Sequence, residues 1–213
     1  MGLAVSIGSL ACAVDQDAEG AESLREGFRH VNRVLIANGL PSHIEPEAMP
    51  DLADRSKLSS MPYAWLHYLR RAVAFARQAP GAFCPVREDE NPAADERIDE
   101  ELSVFMNSHL ICHSDCEGFY VPIDFPGPLY DVRNDGLPGG ILGSSQRALQ
   151  EVVQAAPLLS ISLNDTNVSD ATARGIADEA EGSHPYWIER KVWLCMFERL
   201  RHSIEYRCAV VFG

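Results

Sequence analysis

Apolar positions along this chain fall into two patterns, short β-branched runs and stripes that recur about every 3.6 residues, and together they predict strands alternating with helices. Leu3 to Val14 is rich in small and β-branched residues and ends at Asp15-Gln16-Asp17, which predicts a first strand. Leu24, Phe28, Val31 and Leu35 then make one helical stripe, with Ser23 and Glu26 as a capping box and Gly39 and Pro41 as the stop. A second helix is expected after Pro62, where Trp65, Leu66, Leu69, Val73 and Phe75 form an apolar face and His67, Arg70, Arg71, Arg77 and Gln78 a polar one. Val104 to Cys112 and Phe119 to Phe125 read as extended segments joined by a turn near residue 116; Pro122 cannot donate to a ladder, so the second is expected at a sheet edge or on a bulge.

The glycines at 136, 139, 140 and 143 predict a turn before Ser144-Ser145 and a helix carrying Leu149, Val152, Val153 and Ala156. Leu158 to Leu163 reads as another strand. A last helix starts near Pro185, with Trp193, Met196, Phe197 and Leu200 on one stripe, and Ser203 to Phe212 closes the chain as a strand. This order predicts an α+β fold, a single mixed β-sheet flanked by about four helices. One domain over residues 1–213 is expected, with acidic loops near 87–101 and 164–184; the first holds eight acids and two arginines.

Charge narrows the function. A formal net charge of −13 excludes a nucleic-acid binder, which needs a surplus of Lys and Arg over phosphate, and is wrong for an anionic membrane surface. It suits a face that meets a basic protein partner. The six cysteines are scattered through apolar stretches, as in a reduced cytoplasmic protein and not in a disulfide framework. No apolar run is long enough to span a membrane. Met1-Gly2 and Ala11-Cys12-Ala13 match short targeting patterns, but no positive residue precedes the apolar stretch and the segment reads better as a strand.

One segment concentrates functional residue types: His109 to Glu117 holds two His, two Cys, an Asp and a Glu in nine residues. On an extended chain His109, His113 and Asp115 would share a face and could ligate a metal, although no second half of a metal site is evident. Cys116 or Cys112 beside His113, with Asp115 or Glu117 orienting the ring, would be a nucleophile pair; yet adjacent carboxylates raise a thiol pKa. In the structural alternative the acids cap a tight turn, Gly118 supplies permissive backbone and the histidines hydrogen-bond inside the sheet. Binding roles are open to His109, Tyr120, Arg70 and Arg71, the adjacent arginines as an anion grip. The glycine turn before Ser144 matches no phosphate-binding fingerprint.

His109-Leu110-Ile111-Cys112-His113-Ser114-Asp115-Cys116-Glu117-Gly118-Phe119-Tyr120-Val121-Pro122 resembles a stretch shared by a group of small bacterial proteins with no established activity, as do Gly143-Ser144-Ser145 and the Trp193 helix with Ser203-Ile204. The resemblance implies a bacterial, cytoplasmic protein and assigns no catalytic or binding role. The leading expectation is a non-enzymatic binding protein without a cofactor, an immunity-type or regulatory partner of a basic bacterial protein. The alternative is a small metal-assisted or cysteine-dependent hydrolase centred on residues 109–117.

Overall fold

Each of the four expected helices forms where its apolar stripe lies. In the computed structural model, which describes residues 2–134 and 136–213, they are α2 (Ala18–Ala37), α3 (Tyr63–Gln78), α5 (Ser145–Ala155) and α7 (Trp187–Tyr206). Three short helices join them among the described residues: α1 (Ser9–Gln16), α4 (Glu96–Glu100) and α6 (Asp170–Ala177). The strands are β1 (Leu3–Ile7), β2 (Ser60–Met61), β3 (Gly118–Val121), β4 (Leu129–Tyr130), β5 (Ile141–Ser144) and β6 (Val210–Phe212). They form one mixed sheet in the order β2-β1-β6-β3-β5-β4, in which β3 and β5 are parallel and every other pair antiparallel. The fold is α+β.

Period-two alternation splits the sheet residues between two cores. Tyr120, Val210 and Phe212 pack with Leu66, Leu69, Val152, Trp193 and Phe197 from α3, α5 and α7. Phe119, Val121 and Leu142 face the other way, onto Phe28, Val31 and Leu35 of α2. Gly143 lies directly against the Tyr120 ring, where a Cβ would overlap it. That contact lets β5 close on β3, and bulkier residues would hold the two strands apart.

Several local expectations are corrected. The first strand stops at Ile7, because Gly8 turns left-handed (φ 66°) and the small residues that follow form α1, burying Leu10. Helix α2 starts five residues before the expected box, capped by Asp17, whose carboxylate accepts the Gly20 N–H at 3.0 Å. Leu158 to Leu163 is no strand: Pro157 continues α5 into a 3-10 turn, Ala156–Leu159, and that turn buries Leu159. Helix α7 runs on to Tyr206, keeping His202 and Ser203 on its buried face, so the last strand is only Val210–Phe212. Conversely β5 forms where only a turn was expected.

The largest correction concerns the middle of the chain. No strand covers 104–112, so there is no hairpin around residue 116, and β3 is interior to the sheet, between β6 and β5. Pro122 fits there because the strand ends one residue earlier. From Ser108 to His113 the chain is buried yet irregular, with Ser114 partly buried, and two charged side chains satisfy its backbone. Glu151, on the buried stripe of α5, accepts the His109 N–H at 2.8 Å, the Leu110 N–H at 2.9 Å and the Ser108 hydroxyl at 2.8 Å. Arg70, on α3, donates to the carbonyls of Leu110, His113 and Ser114.

Removing that acceptor strands two buried amides and a hydroxyl, each of which costs about 1–3 kcal/mol when left unpaired. Glu151→Ala is therefore expected to lower stability by about 3 kcal/mol in urea melts, with Glu151→Gln falling between it and the wild type. Matching midpoints for Glu151→Ala and wild type would show that the segment is held by other means.

Candidate functional site

The residues singled out by the sequence are mostly inside the protein. His109, His113 and Tyr120 are buried. His113 stacks on Tyr120 at 4.2 Å between ring centroids, and its two nitrogens face the carbonyls of Ser114 and Phe119. His109 Nδ1 accepts the Ser144 N–H at 3.0 Å, so the amide at the head of α5 is already engaged. Burial lowers both imidazoles to a pKa of about 4, which keeps them neutral at physiological pH. Tyr120 donates to the His109 carbonyl at 3.2 Å, and burial raises its phenol pKa.

The adjacent arginines belong to the interior, not to a solvated face. Arg70 is occupied by the three carbonyls described above. Arg71 pairs with Asp95 at 3.0 Å, donates to the Cys84 carbonyl at 2.8 Å and sits over the rings of Phe75 and Phe83. Neither guanidinium is open to an anion.

Asp115, Cys116 and Glu117 lie toward the surface, away from the buried histidine rings. Asp115 meets His67 at 3.2 Å and accepts the Cys116 thiol at 3.2 Å. The thiol thus donates to a carboxylate, the reverse of what a nucleophile needs, and Asp115 raises its pKa. Cys112 is buried and its thiol pKa is raised by desolvation. His109, His113 and Asp115 have separate partners, and among the described residues no group of three or more His, Cys, Asp or Glu side chains is arranged to hold a metal.

The open, charged part of the molecule is elsewhere. Within 87–101 lie a 3-10 turn, Pro92–Ala94, and helix α4, capped by Asp95, which accepts the Arg97 N–H at 3.0 Å. Glu88, Asp89, Glu96, Asp99 and Glu100 are exposed, and none is in an ion pair among the described residues. Most nearby positive charge is engaged with other groups. Arg97 lies 4.1 Å over the Phe75 ring, and Arg77 is engaged with Glu101 and Asn107. Arg87 is the exposed exception and pairs with Glu90. Glu96, Asp99 and Glu100 share one face of α4 within about 6 Å of helix axis. That is about one charge per 2–3 Å, against one per about 1.7 Å along duplex DNA. By contrast, the α2 acids Glu22 and Glu26 are offset by Arg25 and Arg29.

Residues 1–212 match a protein family described as "Putative DNA-mimic protein". The chain belongs to this family. No curated protein and no solved structure matches it. Family membership covers nearly the whole chain, beyond the segments that carried the resemblance read from sequence. Sequence reasoning located the acidic stretch but missed that its neighbouring arginines are engaged elsewhere, and it missed the buried carboxylates Glu101 and Glu151. One signal was available: Glu151 falls on the same helical stripe as Ala148, Val152 and Ala155, where a carboxylate needs buried donors.

The hold of Asp115 on the thiol is open to test. Iodoacetamide modification of Cys116 at about pH 7.5, followed by peptide mass spectrometry, is expected to speed up several-fold in Asp115→Asn, because more thiolate forms. Equal rates in variant and wild type would mean that the carboxylate does not control the thiol.

Proposed function

We propose that this protein is a non-enzymatic stand-in for DNA, presenting carboxylates in place of phosphates to the basic surface of a protein that binds DNA. The observation that carries this reading is the set of exposed acids without ion pairs, Glu88, Asp89, Glu96, Asp99 and Glu100, while the nearby Arg71, Arg77 and Arg97 are engaged with other groups. A phosphate-like surface needs unneutralised negative charge at fixed spacing, and α4 supplies both. The net charge of −13 and family membership support the same reading. The immunity-type partner becomes more specific: its basic face is the one that holds DNA. The reducing cytoplasm, where such partners work, also suits six free cysteines. A hydrolytic role for residues 109–117 has no such support, since the Cys116 thiol donates to Asp115 and the His113 nitrogens face backbone carbonyls.

Immobilised protein exposed to a lysate of its own organism at about 0.1 M salt is expected to retain a DNA-binding protein that duplex DNA elutes. A variant carrying Glu88→Gln, Asp89→Asn, Glu96→Gln, Asp99→Asn and Glu100→Gln is expected to lose most of that retention. Retained proteins that DNA does not displace, or that the variant holds equally well, would contradict the reading.

A further inference from the structure

Immediately after Glu100 the chain makes one π-turn, Glu101–Phe105, closed by the Met106 N–H donating to the Glu101 carbonyl at 2.7 Å. The turn displays apolar side chains. Leu102 is 45% exposed, Val104 67%, Phe105 46% and Met106 45%. Of the nine large apolar residues exposed among the described residues, four thus fall in this short stretch and adjoin the acidic ridge. Scattered exposed apolar residues are ordinary, but a contiguous group bordered by charge marks an interaction surface.

This tip is built, not frayed. Glu101 is 1% exposed, and its carboxylate accepts the Ser108 N–H at 3.0 Å and pairs with Arg77. The Tyr130 hydroxyl donates to the Met106 carbonyl at 3.4 Å. Met106 itself takes the left-handed backbone conformation (φ 50°), disfavoured for a side chain of its kind. A buried carboxylate, a strained residue and an irregular turn thus hold four apolar side chains in solvent. Such irregularities in a helix are frequent at functional sites.

We infer that Leu102, Val104, Phe105 and Met106 form the anchor by which the DNA-binding partner is recognised, seated in an apolar hollow that borders its basic face. The inference rests on the proposed function and names the contact that DNA cannot make. Charge complementarity selects the occupant. A second copy of this chain, with net charge −13, would bring a second acidic ridge against Glu96, Asp99 and Glu100, whereas a basic face is attracted to them. The two parts of the surface differ in salt dependence: carboxylate contacts weaken as salt rises, and apolar burial does not.

The probe is the protein that duplex DNA elutes in the retention experiment, identified and purified, and titrated across a range of salt concentrations. Val104→Ser with Phe105→Ser, and separately Leu102→Gln with Met106→Gln, are expected to weaken binding about ten-fold or more at every salt concentration while the slope against salt stays as in wild type. All four side chains are exposed, and urea midpoints identify any variant that folds poorly; two independent pairs keep the test decisive. Binding within about two-fold of wild type for both pairs would overturn the inference and leave the proposed function standing. A wild-type protein that retains no DNA-displaceable protein would overturn both.

Discussion

An irregular stretch of backbone can occupy a protein core only if its amides and carbonyls find partners there, and in this chain Ser108 to Ser114 finds them in two opposite buried charges. Glu151 of α5 takes the amides and Arg70 of α3 supplies donors to the carbonyls. The segment is thereby clamped between two helices of the same layer. It delivers the chain to Gly118, where β3 enters the middle of the sheet between β6 and β5. The stack of His113 on Tyr120 and the hydrogen bond from Ser144 to His109 follow from that placement. Without the two charges the segment would have to become a strand or move to the surface, and the sheet would lose its central member.

The same solution shapes the exterior. Arg70, Arg71 and Arg199 are buried, and Arg77 and Arg97 lean onto interior groups. Arg199 donates to the Val5 carbonyl at 2.9 Å and to Asp54, tying α7 to the first strand. Much of the positive charge therefore serves backbone carbonyls, rings and buried carboxylates. Many of the carboxylates, including those of the ridge, are left to solvent. A modest excess of acids in composition becomes a concentrated excess on the surface, and α4 sets its spacing. The contacts that hold the interior and the acidity of the surface depend in this way on one division of charge.

Long amphipathic stripes were legible in sequence because periodicity survives any tertiary context: Leu24 to Leu35 and Trp193 to Leu200 are helical where they were expected. Strand β5 was hidden because its glycine, Gly143, serves packing against Tyr120 and not a turn. The dense run from His109 to Glu117 marked an important place but left its metal, nucleophile and structural readings open. Its histidines are neutral core residues, and the features that explain them, Arg70 and Glu151, lie about forty residues away on either side. No local pattern records such a partnership. The acidic stretch 87–101 was visible as charge alone. Whether Arg97 neutralises it depends on Phe75, which only the fold brings beneath the guanidinium.

The most direct test of substitution for DNA is competition on the partner itself. A fluorescent duplex bound to the purified DNA-binding partner can be titrated with this protein and followed by anisotropy. The account predicts complete release of the duplex, with the midpoint rising linearly as the partner is loaded with more DNA, as simple exclusion requires. A ternary complex in which duplex and protein remain bound together would contradict it.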